Sequence, residues 1–284
     1  MDTAVAPLSS PVDWLTDRAA FGGAVALYGV AAAYAVFLWR RGFQREEWMT
    51  SVLLLLGGAL HTLAMVKRGF SLERCPVTNL FEATMFILWT IVAAVLVAGL
   101  WRRLRFLGAF AAPLLFGAGV FALQPQLDLA GSRPHFDHGL VSAHAALILL
   151  AYGAFGLGSV AALMYLSQDH DLRFHKLRAV LARLPPIQRL DRIVLGLLGA
   201  GLLLLTAGLA LSPWLMWERY GVLFSSDPKI LWSLAVWGVY LALLVARLRH
   251  RFNGRRFAWG TLGTFAFVLL TFWGTNLLSG VHNP

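Results

Sequence analysis

Residues 139–166 read GLVSAHAALILLAYGAFGLGSVAALMYL, a run with no Asp, Glu, Lys or Arg and a single histidine, His144. A bilayer core about 30 Å thick is crossed by about 20 apolar residues, each adding about 1.5 Å to a helix. These 28 residues therefore form a membrane helix that tilts or projects beyond the hydrocarbon. An extended chain is excluded, because lipid offers its backbone polar groups no partner.

Seven further segments fit the same description: Phe21–Trp39, Met49–Val66, Leu80–Leu100, Leu104–Leu123, Ile193–Leu215, Ile230–Ala246 and Phe257–Leu278. The composition agrees. Of 284 residues, 58% are hydrophobic and 13% charged, against roughly 25% charged in a soluble domain. The expected fold class is all-α, a polytopic membrane bundle of about eight transmembrane helices. Residues 1–20 form a short external segment and 21–284 one membrane domain. Met1–Ala20 lacks the basic start of a signal peptide, so the first apolar segment is expected to be a retained span. Small residues recur four apart, as in Ala154/Gly158 and Gly196/Ala200, the spacing that lets helices approach closely. No repeat of fixed period is visible.

The net charge of +10 needs no nucleic acid to explain it. Seventeen of the 24 basic residues fall in alternate connections: Arg40, Arg41 and Arg45; Arg102, Arg103 and Arg105; Arg173 through Arg192; and Arg247 through Arg256. That side is cytoplasmic by the positive-inside rule. The other seven (Arg18, Lys67, Arg68, Arg74, Arg133, Arg219, Lys229) lie outside, with both termini. The expected location is the inner (cytoplasmic) membrane, spanned many times, with anionic lipid headgroups meeting the cytoplasmic arginines. The lone Cys75 excludes an internal disulfide and a cysteine-rich metal site. With no CxxCH, the chain is not itself a c-type cytochrome.

With direction assigned, two histidines and an aromatic segment come to one face. His144 lies near the outer end of the fifth span, and His282 lies four residues beyond the last. The outer connection Ser212–Lys229 carries Trp214, Trp217, Tyr220 and Phe224, with Trp232 just inside the next span. Neutral imidazole ligates iron, and aromatic faces suit a flat macrocycle. Other readings stay open on these residues alone. Aromatics collect at membrane interfaces in general, His144 has neighbouring helices to bond, and His282 sits in a terminal tail. His61, in the outer half of the second span, is a possible ligand or a histidine bonded to the next helix. Glu82, just inside the third span, calls for a cation such as Arg74 or Lys229, or is a structural residue.

Four blocks in order carry a resemblance. Asn79-Leu80-Phe81-Glu82-Ala83 is followed by His144-Ala-Ala-Leu-Ile-Leu-Leu-Ala-Tyr-Gly-Ala-Phe. Then come Tyr220-Gly221-Val222-Leu223-Phe224-Ser225-Ser226-Asp227-Pro228-Lys229-Ile230-Leu231-Trp232 and Trp273-Gly274-Thr275-Asn276-Leu277-Leu278-Ser279-Gly280-Val281-His282. From about the second span onward the chain resembles the cytochrome c assembly protein family, of the CcsA/ResC and CcmC type, and most of all its shorter HemX-like and YpjD-like branch.

That resemblance implies haem, bound non-covalently as b-type, held between His144 and His282 as axial ligands. The family's segment WGxxWxWDPKxxW falls on Tyr220, Gly221, Phe224, Ser226, Asp227, Pro228, Lys229 and Trp232. Tyr220, Gly221, Phe224, Asp227, Pro228 and Trp232 would line the site, joined by the Asn79 and Glu82 block. Implied partners are a second membrane assembly protein, a thiol-reducing protein and apocytochrome c as client. Implied activity is haem handling in c-type cytochrome biogenesis, with no catalytic residue of its own. Two departures stand out. Ser226 replaces a tryptophan, and Ala242 stands after Tyr240-Leu241 where full members carry an internal histidine. These fit a regulator or stabiliser of haem synthesis as the rival reading. A transporter is the second rival, disfavoured by the scarcity of deep charges.

Overall fold

The computed structural model describes residues 16–40, 48–72, 79–100, 107–128, 139–173, 186–224, 226–249, 252 and 254–277. All eight expected segments are helices: α1 (Asp17–Arg40), α2 (Trp48–Leu72), α3 (Leu80–Gly99), α4 (Leu107–Ala122), α5 (Gly139–Arg173), α6 (Ile187–Tyr220), α7 (Pro228–Leu248) and α8 (Arg255–Leu277). No strand occurs among the described residues. Six of the helices (α1, α2, α3, α5, α6 and α7) are long and apolar enough to cross a membrane, and α4 is a shorter apolar helix of 16 residues.

Local chemistry sets the helix starts. Thr16 Oγ1 accepts the Ala19 N–H at 3.1 Å, opening α1. Asn79 caps α3 by accepting the Glu82 N–H at 2.8 Å, and Asp227 caps α7 by accepting the Lys229 N–H at 2.9 Å. Pro228, the first residue of α7, needs no donor there. α6 ends where Gly221 turns left-handed at φ 68°, its N–H reaching Trp217 O.

The helices alternate in direction. The starts of α1 and α3 and the ends of α2 and α4 meet through Arg18, Arg68, Asn79 and Asp128. At the opposite end, Arg247 of α7 pairs with Asp191 of α6, Arg255 of α8 approaches Asp169 of α5, and Gly254 lies against Tyr165. The described outer cations thus gather at one end and the described members of the arginine-rich set at the other, as the charge count requires.

The packing is duplicated. α1 to α4 pack as α1 on α2 and α4, with α3 on α2 and α4; α5 to α8 repeat that pattern, and α5 joins the halves by packing on α3 and α4. The match extends to single residues. A Cβ on Gly57 of α2 would come 2.6 Å from the Tyr28 ring of α1, and one on Gly201 of α6 would come 2.5 Å from the Phe155 ring of α5. Five residues beyond each glycine a threonine donates to the carbonyl four residues back and accepts an indole N–H. Thr62 takes Trp89 at 3.0 Å, and Thr206 takes Trp237 at 2.9 Å. Gly29 meets Phe116 of α4, while Gly156 meets Phe265 of α8. The shift that carries Tyr28 to Phe155 also carries Gly29 to Gly156 and Asp17 to His144. The shift that carries Trp89 to Trp237 carries the cap Asn79 to the cap Asp227. The sequence shows no fixed period because each helix pair has its own shift, the connections differing in length.

Of the small-residue spacings, Gly158 receives Leu198, so α5 and α6 do close there, whereas none of the described residues approaches Gly196.

Candidate functional site at the outer end

At the outer end of the first half, Arg68 is the hub. Its Nε donates to Glu82 Oε1 at 2.9 Å and its NH1 to Asp17 Oδ2 at 2.8 Å; NH2 bonds Asp128 Oδ1. Arg18 donates to Asp128 Oδ2 at 3.0 Å and to Leu123 O, and the Asn79 amide donates to Asp128 Oδ1 at 2.9 Å. Both guanidiniums lie over the buried Phe81 ring, 5.3 Å (Arg18) and 5.2 Å (Arg68) from its centroid. Burial alone would raise the Asp128 carboxyl, but hydrogen bonds and charge from Arg68, with bonds from Arg18 and Asn79, hold it below the usual carboxylate range. Glu82, fully buried, has Arg68 as a partner, a cation other than the two named from the sequence. Arg74 lies outside the described residues. Arg68 is a full helical stretch away in sequence and reaches Glu82 only because α2 and α3 pack side by side. Asn79 and Glu82 thus join four helix ends into one ionic lock.

His61 is wholly buried below this lock. Its Nε2 faces Met85 O at 3.0 Å and its Nδ1 the Tyr28 hydroxyl at 3.1 Å, with Phe21 edge-on at 4.9 Å between centroids. A carbonyl only accepts, so Nε2 carries the proton and Nδ1 accepts from Tyr28. No lone pair remains for a metal: His61 ties α1, α2 and α3 together.

The outer end of the second half is different. His144, in the second turn of α5, donates from Nδ1 to Gly208 O of α6 at 2.8 Å. The close approach is possible because residue 208 has no side chain; a Cβ there would lie 2.8 Å from Ile148. With Nδ1 committed as donor, Nε2 is the lone-pair nitrogen, the state in which a histidine binds metal with a backbone carbonyl orienting its ring. Lys229 is near enough for its charge to act on His144.

The aromatic segment is rearranged from the expected connection. α6 continues through Pro213 to Tyr220, so Trp214 and Trp217 ride on helix, 55% and 57% exposed. A proline inside a membrane helix is tolerated, as neighbouring helices supply the packing. The true connection is Gly221–Asp227, where Val222, Leu223 and Phe224 present exposed apolar surface. Trp232 is turned inward against Phe267 of α8, 5.1 Å between centroids, and its buried Nε1 has no hydrogen-bond partner among the described residues. Asp227 is buried and caps α7. Tyr220 ends α6; its side chain lies outside the described residues, as do Ser225 and His282. α8 ends at Leu277, at the same outer end and five positions before His282.

Among the described residues no three His, Cys, Asp or Glu side chains converge to hold a bare metal ion. The donor described here is a single oriented imidazole, His144. That donor set fits an iron bringing its own planar ligand.

The profile of the family described as "Cytochrome C assembly protein" matches residues 77–282, most of the chain and all of the outer segment. The chain belongs to the cytochrome c assembly protein family. Similar members include the "Cytochrome c biogenesis protein CcsA" of Gloeobacter violaceus, 27% identical over 95% of both chains. That of Synechococcus sp. (strain CC9605) is 26% identical over 97% of this chain and 98% of its own. That of Guillardia theta is 26% identical over 73% and 76%. Within the cytochrome c assembly family fold, the signal that sequence reading missed was Arg68. A cation one turn from the end of a span, facing a span that opens Asn-Leu-Phe-Glu, was the available clue.

Proposed function

We propose that this multi-pass protein acts in c-type cytochrome biogenesis by holding haem, non-covalently, at the outer face of the inner membrane. The observation that carries the reading is the oriented His144. Its Nδ1–H is fixed on Gly208 O, its Nε2 lone pair is left over, and Lys229 at the start of α7 is near enough for its charge to act on the ring. His282 is the second axial ligand in this reading. Trp232, Phe224 and Tyr220 supply apolar cover, and Gly221 and Pro228 shape the connection. When bound, haem supplies the iron and the vinyl groups that a client apocytochrome c receives; no residue of this chain need act as a catalyst. The chain orients the imidazole, excludes water with its aromatics, and presents the ligand to a second membrane assembly protein and a thiol-reducing partner.

The test is an absorption spectrum of the purified protein. A six-coordinate, low-spin Soret band is expected. It should weaken in His144→Ala and in His282→Ala and return in large part with excess imidazole. Full haem retention in the double variant would remove both histidines from the site.

A further inference from the structure

The two halves place different residues at one inward position. Phe81 lies two residues past the cap Asn79, and Lys229 lies two past the cap Asp227, so the repeat sets them in the same register. Phe81 shows where that position faces. It is fully buried and edge-on to Phe21 at 5.4 Å, under the guanidiniums of Arg18 and Arg68. The position therefore points into the outer end of its four-helix half.

In the second half the same register position holds a cation, Lys229, which is half-buried. Its surroundings are not those of the ionic lock. Ser212 stands where the first half has Arg68, and Ala145 where it has Arg18. Its three acids, Asp17, Glu82 and Asp128, are answered by His144, Ile230 and Leu277. Lys229 lies in the electrostatic range of His144, and Asp227 is its acidic neighbour at the start of α7. A half-buried ammonium in electrostatic range of an imidazole whose Nε2 lone pair is left over suits a ligand that brings an anion and a metal together.

We propose that Lys229 receives a carboxylate of the porphyrin whose iron His144 holds, so that the site selects a macrocycle with free propionates. This rests on the haem reading and assigns the orientation of the ligand: carboxylate toward the start of α7, iron toward α5. A carboxylate–ammonium contact out of bulk water is among the stronger hydrogen bonds available.

The test uses the full-length protein in detergent with two probes, haemin and haemin dimethyl ester, each followed by dissociation to an excess of a scavenging apoprotein. Wild type should release the ester at least about tenfold faster than haemin, the range set by hydrogen bonds to charged groups. Lys229→Met should release haemin as fast as the ester while leaving ester release unchanged. Lys229→Arg should keep the preference for haemin. Equal release of the two probes by wild type would overturn the assignment and leave haem binding intact, and that comparison needs no variant to fold. An unchanged preference in Lys229→Met would also overturn it. If wild type takes up neither probe, the haem reading fails first and this assignment with it.

Discussion

His144 stands in the second half of the bundle where Asp17 stands in the first: each lies at the outer start of the leading helix of its four-helix unit. Asp17 is tied to Arg68 in a closed ionic lock, whereas His144 is oriented by a backbone carbonyl and keeps a lone pair. One layout thus forms an ionic anchor in the first half and leaves an imidazole lone pair in the second.

The orientation of His144 depends on the contact of α5 with α6 at Gly208. Because a Cβ there would lie 2.8 Å from Ile148, Gly208→Val should push the helices apart and detach the Nδ1–H from its carbonyl. Haem release should quicken by about tenfold or more, the loss of one orienting hydrogen bond at a metal ligand, while the protein stays folded by circular dichroism. An unchanged release rate would show that Gly208 does not orient the ring.

Arg68 neutralises the wholly buried Glu82. Removing one partner of a buried pair costs about 3–5 kcal/mol, because the other charge is left without compensation. Arg68→Met should therefore lower the melting temperature sharply in detergent. Arg68→Lys should recover only part of it, since an ammonium cannot serve Glu82, Asp17 and Asp128 in the fixed fork of a guanidinium. Arg68→Met, Glu82→Met should melt higher than Arg68→Met alone.

Asp128, outside the spans, has its carboxyl held below its ordinary value of 3.8 by Arg68, Arg18 and Asn79. A depressed carboxyl contributes stability that is fully present above the unfolded value and lost as pH falls through the lower folded value. Wild type should lose thermal stability below about pH 4. In Asp128→Asn that part of the loss should be absent, and the variant should be less stable near neutrality. Parallel pH profiles of wild type and variant would contradict this.

The aromatic cover is testable from both sides. Trp232 packs inward against Phe267, while Ser226 is exposed where the family has a tryptophan. Covering half of a tryptophan, with a full burial of about 150–250 Å², is worth about 2–3 kcal/mol at about 25 cal/mol per Å². Ser226→Trp should slow haem release by tenfold or more and Trp232→Ala should hasten it. Equal rates in all three proteins would make the segment an interfacial belt.

Much of this architecture is carried by the linear chain. Eight apolar runs must be helices because lipid leaves their backbones no alternative, and the arginine count orients them. Asn79 and Asp227 announce the starts of α3 and α7, since a short polar side chain before an apolar run satisfies an orphan N–H. The order of the four motif blocks indicates the family. What the chain alone leaves open is every pairing between distant residues. Arg68 pairs with Glu82, His61 spends both nitrogens on Tyr28 and Met85, and His144 spends only one, on Gly208. The repeat is equally hidden, for it resides in which ring meets which glycine and not in a constant spacing. Hydropathy determines that a residue lies in the membrane; only the packing of one helix against another determines which polar group it finds there, and so which imidazole keeps a lone pair for a metal.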